Sequence, residues 1–295
     1  MPTVALATCA QFPGLDDDDR LLLPALSALG IDAVPAVWTE PSVDWASFDL
    51  VVIRETWDYV EQHAEFLAWA GAVSVATILL NPAPVVGWST DKTYLRDLGR
   101  AGVPIVPTEF LVPDGSASGW RPAATHGDVV VKPAVSAGSR DTMRFAARDV
   151  DGAAAAHAAA LLAAGRTVMV QPYLDAVDDR GETALLFFGG EFSHAIRKGP
   201  LLVRDVEGER VAGLFVQEDI TAREPSPAEL SVARRAVAQV PGAHPPLYAR
   251  VDLVPGPGGD PLLLELELVE PSVFLAHAPG AADRFAAAIL ASIPA

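Results

Sequence analysis

Apolar positions recur in short blocks separated by turn residues, and their spacing sets out the elements. Val4–Thr8 reads as a buried strand, Leu21–Leu29 as an amphipathic helix stopped by Gly30, and Ile31–Val37 and Leu50–Ile53 as two more strands. This is a β-α-β opening with parallel character. A helix over Glu61–Ala76 follows, and Leu79-Leu80-Asn81-Pro82 ends this α/β unit. Ser89 reads as the N-cap of a helix that runs to Ala101 and closes at Gly102. A strand near Glu109–Val112, a Pro/Gly/Ser-rich loop from Pro113 to Gly127, a strand entering Lys132, a return at Met143–Ala146, an alanine-rich helix over Asp151–Ala164 and a strand over Val168–Leu174 come next. Beyond the acidic turn Asp175–Arg180, Glu182 opens a strand through Phe188, Gly189-Gly190 makes a two-residue turn, and Glu191–Lys198 returns. A charged loop Arg204–Arg210, a helix Pro227–Val240, and a hairpin from Tyr248–Val254 and the run Leu262–Pro271 complete an α/β chain whose last part is antiparallel.

Length and charge narrow what this pattern can do. At 295 residues the chain exceeds what one compact core usually holds, so two or three subdomains are expected. A net charge of −17 argues against nucleic acid and anionic membrane as partners, because counterion release needs clustered Lys and Arg. An anionic ligand must therefore be held locally. Cys9 is the single cysteine, which excludes an intrachain disulfide and a Cys-based zinc site and points to a reducing compartment. No run approaches the ~20 apolar residues of a membrane span, and the short apolar start lacks a basic leader, so a cytoplasmic location is expected.

Candidate chemistry concentrates in a few stretches. Val129–Arg140 reads V-V-V-K-P-A-V-S-A-G-S-R: a buried strand delivers Lys132 into a loop of small residues. A buried ammonium needs an anion, and small residues expose backbone N–H groups to phosphoryl oxygens. A snorkelling lysine before a surface turn is the alternative. Lys92 falls in the first turn of its helix, where a bound anion would relieve the unfavourable dipole. Arg54-Glu55-Thr56-Trp57-Asp58-Tyr59 stands at the C-terminal end of a strand, where open α/β sheets hold ligands; Arg54 could clamp a carboxylate while Trp57 and Tyr59 wall the pocket, or the segment could cap and pack under the next helix. The four aspartates Asp16–Asp19 are better explained as a helix cap than as a metal site. Pro172 leaves backbone groups near Gln171–Leu174 free to meet an adenine edge. On the return strand Arg197 and Lys198 face opposite sides, and Arg197 is preferred for the pocket, ahead of His194. In the last hairpin Arg250 shares a face with Asp252, and Glu265 with Glu267; all-oxygen ligation of this kind suits Mg²⁺, although alternation on a half-exposed sheet also accounts for the glutamates.

The order Lys92, Lys132 with its small-residue loop, Gln171-Pro-Tyr-Leu, Glu182, Arg250-x-Asp252, Glu265-x-Glu267 resembles that of the ATP-grasp superfamily of carboxylate–amine ligases. The resemblance covers nearly the whole chain. It implies a three-part architecture: an N-terminal open α/β domain (1–88), a central lid subdomain (89–174) and a C-terminal antiparallel sheet with helices (175–295). It implies ATP and two Mg²⁺ ions as cofactors. Lys92, Lys132 and the loop Ser136, Ala137, Gly138, Ser139 would contact the phosphates, Gln171, Tyr173 and Leu174 the adenine, and Glu182 the ribose. Asp252, Glu265 and Glu267 look like the magnesium ligands. Arg250, Lys132 and Arg197 would serve catalysis, and Arg54, Thr56, Asp58, Arg140, Arg197 and Glu270 are the candidates to touch a small carboxylate substrate. Many members carry Asn at the position of Glu267, and most carry an acid at that of Gln171; Glu267 can still ligate magnesium and Gln171 can use its amide. The segments R-x-T-W-D-Y, D-K-x-Y-L, G-E-F-S-H and E-L-E-L-V-E-P are similar to the branch that forms D-cycloserine by closing O-ureido-D-serine. An intermolecular amino acid or peptide ligase, or a non-enzymatic nucleotide-binding regulator, are the other readings, and the oligomeric state, a homo-oligomer included, is left open.

Overall fold

The computed structural model describes residues 1–115, 120, 127–200, 202, 210–211, 214–216 and 219–294. Most of the Pro113–Gly127 loop and of the charged loop Arg204–Arg210 lies outside the described residues. A parallel sheet opens the chain, with strands β1 (Thr3–Thr8), β2 (Asp32–Val37), β3 (Leu50–Glu55) and β4 (Ile78–Leu80) in the order β2-β1-β3-β4. Both faces of β1 and β3 are apolar, as a parallel sheet covered on each side requires. Ala5, Ala7, Val51 and Ile53 pack on Phe66, Ala70 and Val73 of a helix at His63–Ala76. Val4, Leu6 and Val52 pack on Leu22 and Leu26 of a helix at Leu22–Ala28.

Two antiparallel sheets follow. One orders β5 (Glu109–Leu111), β6 (Val129–Pro133), β7 (Met143–Phe145) and β8 (Val168–Pro172) as β5-β8-β6-β7. Its core is Val129, Val131, Val168 and Val170 against Ala158 and Leu161 of the alanine-rich helix, which covers Ala155–Ala163. The other begins with β9 (Glu182–Phe188) and β10 (Glu191–Lys198); beyond the short pair β11 (Arg210–Val211) and β12 (Phe215–Val216) it continues with β13 (Ile220–Arg223), β14 (Tyr248–Pro255) and β15 (Pro261–Glu267), ordered β13-β10-β9-β14-β15. A helix at Pro227–Val237 supports one face of this sheet, entered through a capping box in which Ser226 and Glu229 exchange backbone and side-chain hydrogen bonds.

Three features differ from the sequence reading. The helix expected to start at Ser89 is two helices, Ala83–Ser89 and Leu95–Arg100. Asp91 separates them: its carboxylate accepts from Thr93 N at 2.9 Å and caps a 3-10 turn over Lys92–Tyr94. Only Asp16 of the four aspartates behaves as a local cap, accepting from Asp19 N at 2.8 Å. Asp18 instead accepts from Leu275 N and Ala276 N, and Asp19 pairs with Arg54 at 2.9 Å. A C-terminal helix, Ala281–Ala291, has no counterpart in the sequence reading. Its Phe285, Ala286 and Ile289 join Val4, Leu6 and Val52 of the parallel sheet to Leu186, Phe188 and Tyr248 of the last one in a single core. The first and last parts of the chain therefore share one apolar cluster besides those on their other faces.

Candidate active site

Lys132 stands at the end of β6, where the strand runs out at Pro133, and Lys92 approaches it from the 3-10 turn capped by Asp91. Lys92 N donates to Ala134 O at 3.0 Å and its Nζ to Ser136 O at 2.6 Å, so the turn and the small-residue loop are held together. Across a cleft, β14 and β15 set Asp252 opposite Glu265 and Arg250 opposite Glu267. Lys92 pairs with Glu265 at 3.0 Å, Arg250 with Asp252 at 3.0 Å and also with Glu267. Lys198, at the end of β10, bridges Asp252 at 2.8 Å and Glu182 at 3.1 Å.

Burial would drive the Lys92 ammonium down, but Glu265, Glu267 and Glu270 together outweigh it and hold the proton more tightly than usual. Lys132 goes the other way: burial lowers it, Glu265 opposes, and Lys92 lowers it further. No ion pair to Lys132 is present among the described residues. Burial raises Glu267 to about 7 against the pull of Arg250. Asp252 is lowered because Arg250 and Lys198 overcome its burial, and Glu265 is lowered because Lys92 and Lys132 do the same.

One cleft is lined by Lys92, Lys132, the loop Ser136, Ala137, Gly138 and Ser139, the hinge Gln171, Tyr173 and Leu174, and Glu182. Lys198, Arg250, Asp252, Glu265, Glu267, Glu270, Trp57 and Ser272 line it too. At the hinge, Gln171 Nε2 donates to Thr108 at 2.9 Å, Tyr173 N donates to Asp128 O at 2.8 Å, and the Arg144 guanidinium lies 3.4 Å over the Tyr173 ring. For Mg²⁺ the donor chemistry fits: three carboxylate side chains on facing strands border the same cleft as the lysines. Each is turned to a cation here, and no group of three His, Cys, Asp or Glu meets in ion-holding geometry among the described residues.

Five expected substrate or catalytic residues are elsewhere. Arg54 is 1 % exposed and faces inward: it pairs with Asp19, donates to Pro271 O at 2.8 Å and lies over the Tyr248 and Phe285 rings. Thr56 is fully buried. Asp58 accepts from Trp38 Nε1 at 2.7 Å inside the first unit. Arg140 pairs with Glu61 across to the first unit. Arg197 turns away from the cleft and donates to Arg180 O at 2.8 Å. Tyr59, expected as a pocket wall, is buried on Phe66 with ring centroids 4.9 Å apart. The residue the sequence reading passed over is Lys198. A plain two-residue hairpin pairs Glu182 with Arg197, but a bulge between Phe192 and His194 slips the register so that Glu182 faces Lys198.

Known proteins are similar to this one along the whole chain. Residues 4–81 match the family described as D-cycloserine synthetase DcsG, N-terminal domain. Over 297 residues the chain is 40 % identical to the cycloserine biosynthesis protein DcsG of Streptomyces lavendulae, covering 98 % of each. The chain belongs to the DcsG family of ATP-grasp ligases. The crystal structure of D-cycloserine synthetase DcsG superposes with a TM-score of 0.89 at 38 % identity, covering 99 % of this chain and 100 % of that one. The D-alanine–D-alanine ligase of Bacillus anthracis, at 16 % identity and a TM-score of 0.63, shares the fold over 99 % of this chain and 97 % of its own. Members of the DcsG family are C–N bond-forming ligases. Among the described residues no helix is long and apolar enough to cross a membrane.

Proposed function

We propose that this chain closes O-ureido-D-serine to D-cycloserine with consumption of ATP. The observation that carries the reading is the full-length similarity to DcsG together with a cleft lined by three lysines and five carboxylates. The substrate carboxylate attacks the γ-phosphorus of ATP to give an acyl phosphate and ADP. Lys92, Lys132 and Lys198 lie where phosphoryl charge would be neutralised, and Gln171, Tyr173 and Leu174 offer the adenine pocket, with Glu182 for the ribose. Asp252, Glu265 and Glu267 would hold two Mg²⁺ ions, which offset charge on the phosphoryl oxygens when bound.

The ureido nitrogen bonded to oxygen then attacks the acyl carbon of the same molecule, and phosphate leaves. Arg250 stabilises the oxyanion that forms on the way. Hydrolysis of the remaining carbamoyl group, with one water, releases CO₂ and ammonia. An intramolecular nucleophile needs a compact pocket and no second amine channel. The loop Ser136–Ser139 shields the acyl phosphate from water when it closes. With domain limits at 1–88, 89–174 and 175–295, nucleotide binding would fall to the last two parts. The test is ADP release with O-ureido-D-serine as the sole organic substrate, followed by detection of D-cycloserine. Turnover that requires an added amine would instead make this an intermolecular ligase.

A further inference from the structure

The short segment Val269–Ser272 is tied down along its whole backbone. Four consecutive carbonyls each accept from a different side chain: Val269 O from Tyr248 Oη at 2.7 Å, Glu270 O from Trp57 Nε1 at 2.9 Å, Pro271 O from Arg54 Nη2 at 2.8 Å and Ser272 O from Arg250 Nη1 at 3.2 Å. Pro271 further restricts Glu270 to extended backbone. The Glu270 backbone is thereby fixed, and its side chain lines the cleft with Trp57 and Ser272.

Glu270 is 9 % exposed, and its carboxylate makes no hydrogen bond or ion pair with any described residue. Every other acid of the cleft has a cation: Asp252 and Glu182 have Lys198, Glu265 has Lys92, and Glu267 has Arg250. A buried carboxylate without a counter-charge either keeps its proton, as burial favours here by pushing Glu270 up to about 8, or ionises against a cation that a ligand supplies. The lysines hold the phosphate end of the cleft, which leaves Glu270 to the organic substrate.

We propose that Glu270 receives the α-ammonium group of an amino-acid substrate and so makes the enzyme select amino acids over the corresponding acids that lack nitrogen at that carbon. This rests on the ligase reading above but not on which amino acid is used. Carried on that fixed backbone, the carboxylate acts as a specificity residue: it orients the substrate so that the substrate's own carboxylate meets the γ-phosphate.

The experiment compares O-ureido-D-serine with its deaminated analogue, 3-(ureidooxy)propanoate, in the wild-type enzyme and in Glu270→Gln. The wild type should prefer the amino substrate by about 10²-fold in kcat/KM, as expected for a buried charge pair. In Glu270→Gln the KM for O-ureido-D-serine should rise by about that factor, the KM for ATP should stay within about threefold, and the preference should shrink to a few-fold. A wild type that uses both compounds equally well, or a preference that survives in Glu270→Gln, overturns the proposal. If the wild type turns over neither compound, the cyclo-ligase reading fails first. ADP release with D- and L-alanine against D- and L-lactate then decides the ammonium question separately: a preference for alanine that Glu270→Gln abolishes supports it, and indifference overturns it.

Discussion

Lys198 and Arg197 are adjacent on one strand, yet the geometry gives them opposite roles. Lys198 joins Asp252 and Glu182 within the cleft, whereas Arg197 holds the carbonyls of Arg180 and Asp179 outside it. Lys198→Met should lower kcat/KM by at least about 10²-fold, since it takes from buried Asp252 one of its two cations and removes a positive charge from the cleft, while Arg197→Met should stay within about tenfold. Steady-state kinetics on both variants checks this, and an equal loss in the two would contradict the register. A second residue matters for stability. Burial lowers the His194 imidazole to about 4, with the Val273 carbonyl pulling it back up. Because Val273 O can only accept, Nε2 carries the proton of the neutral ring, at 2.9 Å, and Nδ1 accepts from Ser193. The folded value lies below the ordinary 6.5, so the stability present above pH 6.5 is lost as pH falls from there toward about 4. At most about 3 kcal/mol is at stake over that range. Denaturant midpoints measured between pH 7 and pH 5 should fall in the wild type and fall less in His194→Gln.

At the scale of elements, most helices and strands were legible from the sequence, the short edge strands β5 and β7 among them, while β4, β13 and the C-terminal helix were not. β10 covers Glu191–Lys198 as expected, and β9 and β14 differ from the reading by a residue or so. β4 and β13 have only three and four residues, and alternation alone gives no clear period in so short a run. The bulge at Ser193 is invisible to an alternation rule because it inserts one residue without changing composition, yet it decides which cation enters the cleft. The C-terminal helix has the clearest energetic role. Phe285 is fully buried, stacked on Phe188 with ring centroids 4.4 Å apart. Phe285→Ala should destabilise the protein by about 3–5 kcal/mol, measured by chemical denaturation, through a cavity in a core that two sheets share.

For the whole molecule, side chains sew the first unit to the last. Asn81 donates to Tyr248 O and Leu268 O and accepts from Leu247 N, and the Arg54–Asp19 pair lies between Pro271 and the Tyr248 and Phe285 rings. With a common core as well, these two units should unfold together: calorimetry is expected to show them in one transition, and Asp19→Asn, which leaves a buried guanidinium unpaired, should weaken that transition by about 3–5 kcal/mol. Separate melting of the parallel sheet would contradict the shared core. The sequence by itself determined the α/β class, the order of the lysines, the hinge and the carboxylates, and the family those residues resemble. It did so because strand alternation and the spacing of charged residues along a strand are local properties of the chain. Only the tertiary structure decided that Arg54 is an internal tie, that Lys198 replaces Arg197 at the cleft, and that Glu270 stands there without a counter-charge. Those outcomes depend on which distant element a side chain meets once a register is set, and a buried charge acquires its role from the partner it finds or lacks.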